Sequence, residues 1–394
     1  MKKENITQTA CSSPTIYCTL ETLFAYCTHK GFSFVSYQLP RKTFSQTLVS
    51  FKEAIDVSLD TSWTSQKGFI IAPFQNSKNF SPYFIQPDLI LEGDVFELEV
   101  AKLPKDFEVF IENPSSLSPD KKISFSVANK TAYCQLVEDI KTEIESTTLE
   151  KAIASRIYTH PKSPSFNPVH LLKKLNQKYS LAFTYLLNVP KVGCWLGASP
   201  EVLVERKNDM FRTVALAGTQ KNDGNTPIQS VTWQSKETTE QAFVSQHIKT
   251  AIQPFIESCS FLVSDNETVA AGNLWHLQTQ FLFHLKQNEN FPKLIDALHP
   301  TPAVGGLPQQ EAIDFILEKE QHQRSYYTGF LGPVNIEKSH ANLFVNLRCM
   351  QVTKECLAFY TGAGITLDSV AEKEWEETEN KVMTLLGVLG NGEL

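Results

Sequence analysis

The chain has 394 residues, 42% hydrophobic and 20% charged, with a net charge of -7. That is enough apolar material for a large buried core, and no Lys/Arg-rich block is present to neutralise phosphates, which argues against a nucleic-acid partner. No run approaches the roughly 18 apolar residues of a membrane span, the N-terminus lacks a signal-peptide core, and eight cysteines are scattered without metal-ligand spacing. A cytoplasmic protein with reduced thiols and no membrane contact is expected, and a monomer in the absence of heptads or an exposed apolar stripe.

In chain order, Ile16, Leu20, Leu23, Phe24 and Cys27 predict a helix over about 14–30, stopped by Gly31. "FSFVSYQLP", "GFIIAPF" and "VFELEV" read as short strands bounded by turn residues, and "ENPSSLSPDKK", 112–122, as a loop or linker. A helix over about 131–147, with Leu136, Val137, Ile140 and Ile144 inward, leads into the strand-like "KAIASRIYTH". Strands and helices then interleave to the end without repeats. The expectation is a single α+β domain over 1–394, with residues 1–125 the more loosely specified part.

Several segments carry polar groups where a purely structural pattern has no use for them. In "WQSKETTEQAFVSQHIKTAI" the predicted inner face is Phe243, Val244, Ile248 and Ala251, and Glu240 shares it; an inward carboxylate needs a cation. Glu201 follows the proline of "CWLGASPEVLVER", and Lys151 opens a strand face with Ile153, Ser155 and Ile157. A lysine beside apolar groups can act as a base, although snorkelling to water is the commoner outcome. In "LWHLQTQF", His276 lies on the more polar face. "TVALAGT" and "YTGAGIT" read as small-residue turns whose backbone N–H groups can approach an anion. "LFVNLRC" reads as a strand ending in Arg348, a candidate for a carboxylate partner. In "EWEETENK", at 100° per residue, Glu374, Glu377 and Lys381 share one side of a helix while Glu376 and Glu379 face the other, which reads as solvated.

In order, "KAIASR", "GASPE", "ALAGT", "SKETTEQ", "LWHLQT", "LHPTPAVGGLP", "YYTGFLG", "LFVNLRC", "GAGIT" and "EWEETENK" resemble motifs of the chorismate-utilising enzymes. That family includes isochorismate, salicylate, anthranilate and aminodeoxychorismate synthases. The resemblance implies an α+β fold of two mixed β-sheets packed as a sandwich with helices outside. It also implies a chorismate-binding catalytic core over 126–392. By resemblance, Glu240 and Glu377 are Mg²⁺ ligands with Glu374 near the metal, and Arg348 and Lys381 clamp substrate carboxylates. His276, Tyr327, Ala303 and the backbone around Gly218, Thr219, Gly362, Ala363 and Gly364 complete the substrate site.

Within the family, Lys151 resembles the general base of the members that add water, and Glu201 the acid that protonates the departing hydroxyl. Ala217 departs from the aminodeoxychorismate branch, and Ala303 from the members that eliminate pyruvate. The implied activity is reversible conversion of chorismate to isochorismate with Mg²⁺; salicylate formation and a non-catalytic chorismate-binding homologue are the alternatives. No residue reports whether the product would serve menaquinone, siderophore or salicylate synthesis. Gln220 and Gln241 stand where arginine and histidine are usual in the family.

Overall fold

The fold is a computed structural model that describes residues 14–58, 62–112, 123–221, 226–257, 261–271 and 274–390. Its helices are α1 (Leu20–Lys30), α2 (Phe107–Glu112), α3 (Lys130–Ser146), α4 (Pro168–Lys178), α5 (Ser235–Ile252), α6 (Phe291–Leu298), α7 (Gln309–Lys319) and α8 (Ala371–Leu386). The predicted first helix is shorter than expected. Thr15–Thr19 is a strand paired with Val95–Glu99, and α1 starts only where the Thr19 side chain caps the Thr22 N–H. Gly31, at φ 68°, closes it as expected. Most of the predicted linker lies outside the described residues.

Two large sheets carry the fold. The first runs Gly306–Leu307, Lys151–Pro161, Cys356–Ile365, Cys349–Val352, Gly193–Ser199, Phe183–Val189, Ser33–Gln38, Gln46–Ser50, Leu89–Glu92. The second runs Leu262–Val263, Leu274–His284, Met210–Lys221, Val202–Lys207, His340–Val345, Phe330–Val334, Gly68–Ala72, Tyr83–Ile85, Ile55–Asp56. The α+β sandwich matches expectation, but the mixed sheets do not: every strand pair among the described residues is antiparallel. Several neighbours, such as Phe183–Val189 with Gly193–Ser199 and Cys349–Val352 with Cys356–Ile365, are joined directly as hairpins, which need no parallel crossover.

Residues before 125 supply an end of each sheet, so the loosely patterned part of the sequence is built into both. Between the sheets lies an aromatic core in which Phe183 stacks on Phe344 at 4.3 Å and Trp195 packs on Tyr360. On the outer face of the first sheet, α1, α4 and α8 bury leucines and phenylalanines; α5 and α6 cover the second.

One buried cation docks α8. Arg156, 2% exposed, donates from Nε to Thr378 Oγ1 at 2.8 Å and pairs with Glu379, while its guanidinium lies 3.8 Å from the centre of the Trp375 ring. Glu379 is therefore a partner of the core and not part of a purely solvated face, which corrects the sequence reading. Arg156→Ala is expected to destabilise the protein by about 2–4 kcal/mol in urea unfolding, because it strands the partners of a buried charge. An unchanged midpoint would remove this docking role.

Candidate active site

The site is built where the chain crosses between the sheets. The segment Ser199–Val202 leaves the first sheet for the second and carries Glu201; the segment Val345–Cys349 returns and carries Arg348. The two crossings are tied together: Ala198 N–H donates to Arg348 O at 3.0 Å, Val345 N–H to Glu201 O at 3.0 Å, and Ser199 Oγ to Val345 O. The expected strand through Arg348 thus ends at Val345, and Arg348 sits at φ 47°. A non-glycine residue in that region is strained, and the paired crossings hold it there.

Lys151 begins its strand and directs Nζ to Glu240 Oε1 at 2.8 Å. Gly364 on the next strand makes room for it, since a Cβ there would stand 2.9 Å from Lys151 Cε. Glu240 projects from α5, whose buried face is Gln241, Val244, Ser245, Ile248 and Ile252. Phe243 is 53% exposed and does not belong to that face, so Glu240 lies at its border and not at its centre. The aim of Glu240 is set by its neighbour. Gln241, completely buried, accepts from Ala217 N–H at 2.9 Å and donates to Thr279 Oγ1 at 2.8 Å, fixing α5 to the strand below. The glutamine at this position has a docking function. Gln220 donates from its side chain to Thr232 O.

From α8, Lys381 Nζ reaches Glu377 Oε1 at 2.5 Å and donates to Gly362 O at 2.8 Å. Gly362, Ala363 and Gly364 lie inside the strand Cys356–Ile365 and do not form the predicted turn. Their neighbour Cys349–Val352 pairs only as far as Tyr360, so on that side the glycine backbone faces the site. The Ala363 side chain points away, into the cluster under α3 and α7. Gly362 is required by space: a Cβ would meet Tyr327 Oη and Ser155 Cβ, each at 3.1 Å. Arg348 donates from Nη1 to Thr384 Oγ1 at 3.2 Å, also on α8. Glu374, one turn before Glu377, is partly buried and lies within electrostatic reach of Lys381.

Across the site, His276 pairs in register with Thr219 beside a bulge at Gly218, and its ring hydrogen-bonds the Gly218 backbone. Gly218 is at φ 61°, and a Cβ would press on Glu237 at 3.1 Å. The Thr219 side chain lies outside those described. Ala303 sits two residues beyond Thr301, whose hydroxyl donates to Glu201 Oε1 at 3.2 Å.

The electrostatics separate these groups by role. Burial raises the Glu201 carboxyl to about 7, against the pull of Thr301, Lys151, Arg348 and Lys381. Burial lowers His276 to about 4, helped by Arg348 and Lys381, so its imidazole is neutral near pH 7. Lys381 and Arg348 are lowered by burial, Lys381 despite Glu377. The influences connect Lys151, Glu201, Arg348, Lys381, Glu377 and His276 into one charged neighbourhood.

For a metal, the donor chemistry is that of hard oxygen ligands. Glu240 and Glu377 each hold a lysine ammonium on a solvent-reachable carboxylate, where a cation is already favoured. No group of three or more His, Cys, Asp or Glu side chains that could hold a metal occurs among the described residues, so Glu374 is not gathered with the other two into a ready-made centre. Two carboxylates with water and a ligand oxygen still fit a small divalent cation.

Sequence patterns missed Thr301, because a hydroxyl in "LHPTPA" carries no periodic signal. They also missed the Glu320–Arg324 pair. Its i, i+4 spacing in "EKEQHQR" was the available sign, and it reads as an ordinary surface pair until burial is known.

A family model described as chorismate binding enzyme matches residues 41–390. The chain is 27% identical over 274 residues to the isochorismate synthase EntC of Escherichia coli (strain K12), covering 67% of this chain and 68% of that protein. It is 30% identical over 272 residues to the isochorismate synthase DhbC of Bacillus subtilis (strain 168), covering 66% and 67%. Its fold resembles that of MenF, the menaquinone-specific isochorismate synthase from Escherichia coli, with a TM-score of 0.75 at 19% identity over 96% of this chain and 94% of that one. With the family model spanning most of its length, this chain is an enzyme of the chorismate-binding family.

Proposed function

We propose that the protein is an isochorismate synthase that interconverts chorismate and isochorismate with Mg²⁺. The observation that carries this reading is a carboxyl, Glu201, raised to about 7 within electrostatic reach of Lys151, an acid and a base for a reaction that needs both. The relatives named above act as isochorismate synthases by their names, which supports the same reading.

Lys151, as base, removes a proton from water as its oxygen bonds to ring carbon 2. Glu201, as acid, gives a proton to the C4 hydroxyl, which leaves as water while the ring double bonds shift. One water enters and one departs, so the net change is isomerisation. Arg348 and Lys381 hold substrate carboxylates, and the neutral His276 can donate or accept a hydrogen bond without adding charge. Glu240 and Glu377 would hold Mg²⁺, with Glu374 alongside, and the ion would supply positive charge for a substrate carboxylate. Lys151 and Glu240 are paired in this structure, so a cation held by Glu240 would compete with the lysine for that carboxylate.

Pure protein with chorismate and Mg²⁺ is expected to yield isochorismate by chromatography; accumulation of salicylate and pyruvate would assign it to the pyruvate-eliminating branch instead. Chelation with EDTA should abolish turnover and added Mg²⁺ restore it, and indifference to chelation would remove Glu240 and Glu377 as ligands. Lys151→Ala and Glu201→Gln are each expected to lower kcat by about 10²–10⁴-fold with the fold intact.

The pH dependence has a definite sign. Glu201 donates only when protonated, so its titration should make kcat/KM fall as the pH rises through about 7. The Thr301 hydroxyl favours the ionised carboxylate, so Thr301→Val should move the falling limb to higher pH. A limb that stays in place would mean that Glu201 is not the group being titrated.

A further inference from the structure

The strand that carries Lys151 has an exposed-edge problem. Its outer neighbour, Gly306–Leu307, pairs only with Ala152 and Lys151, and the next edge group, Ile153 N–H, reaches Gly305 O at 3.2 Å. Beyond that point the backbone of Ile153 and Ser155 faces side chains. Ile153 O accepts from Arg324 Nη2 at 2.7 Å, and Ser155 N–H donates to Glu320 Oε1 at 3.0 Å. A buried ion pair thus takes the place of a strand.

The fit of Arg324 is complete. Its side chain is 3% exposed and that of Glu320 is 4%. Nε and Nη2 form a fork on the two Glu320 oxygens at 2.8 and 2.6 Å; Nη1 reaches Val304 O at 2.8 Å and Thr328 Oγ1 at 3.5 Å; Nη2 also reaches Ile153 O. All five guanidinium N–H groups are used. Glu320 also accepts from Ser155 Oγ at 2.7 Å. The guanidinium lies 4.5 Å from the Phe74 ring centre, and Phe74 is pinned on both sides, by its N–H to Ser325 O and by His299 Nε2 to the Pro73 carbonyl.

We propose that Arg324 and Glu320, seated on Phe74, are positioning residues for the active site. They lock together three segments: the strand with Lys151, the loop with Val304 whose Thr301 holds Glu201, and the turn with Tyr327. The base and the partner of the acid are thereby held at a fixed separation by one buried ion pair, and the N-terminal part of the chain contributes the surface on which it rests. The pair makes no direct contact with the carboxylate clamps: Lys381 stands on α8, and the Arg348 crossing meets the pair only through the backbone of the turn with Thr328, whose N–H donates to Asn346 O, so disturbing it should alter chemistry more than substrate binding.

This inference rests on the isochorismate synthase reading for its kinetic arm only. Glu320→Gln and Arg324→Lys, each still melting cooperatively, are expected to lower kcat for chorismate by about 10–100-fold while KM stays within about threefold. Hydrogen exchange in peptides spanning 149–157 should accelerate in both variants and not in the strand Gly193–Ser199. If neither variant folds, Phe74→Leu, which keeps every hydrogen bond and removes only the ring, carries the same expectation at smaller size. Unchanged kcat, or unchanged exchange across 149–157, would overturn the positioning role. Should the wild-type chain turn over no chorismate, the functional reading falls while the exchange comparison still decides this one.

Discussion

Two links between sheets, running side by side, determine where everything else in the site must go. Because the Glu201 and Arg348 crossings exchange backbone hydrogen bonds, Glu201 and Arg348 cannot move independently. The strain at Arg348 is sustained by the same bonds and by Asn346, whose side chain joins Tyr185 in one sheet to Tyr326 O near the other. Lys151, Lys381 and His276 then approach this fixed point from the strand, the helix and the opposite sheet.

Two of the cations around the crossings are held in ion pairs. Lys151 sits on Glu240 and Lys381 on Glu377, whereas Arg348 donates to the Thr384 hydroxyl. Both pairs are partly open to solvent, unlike Arg324–Glu320, which is sealed. The contrast has a physical sense: in the proposed reaction the solvent-reachable pairs can exchange partners, whereas the sealed pair, with every guanidinium donor used, can only hold geometry.

Much of this arrangement was legible before the fold. The α8 stripe of Glu374, Glu377 and Lys381, the inward-tending Glu240 and the strand face beginning at Lys151 all follow from side-chain period. What pattern cannot convey is pairing. The strand predicted through Arg348 breaks at Val345 because the chain changes sheet, and "YTGAGIT" is a strand because its glycines accommodate Lys151, Ser155 and Tyr327 from neighbouring segments. Thr301 and Arg324 act across 100 and 171 residues of sequence, and only the fold brings Thr301 to Glu201 or Arg324 to Ile153.

The central claim is that a lysine-activated water enters at one ring carbon while a glutamic acid expels hydroxyl from another. Chorismate incubated with the enzyme in ¹⁸O-labelled water and stopped early in the forward reaction tests it most directly, by mass spectrometry of the isochorismate formed. The account predicts one ¹⁸O in the C2 hydroxyl of the product and none in chorismate not yet converted. Unlabelled isochorismate would mean that the hydroxyl migrates within the substrate, and would contradict the roles given to Lys151 and Glu201.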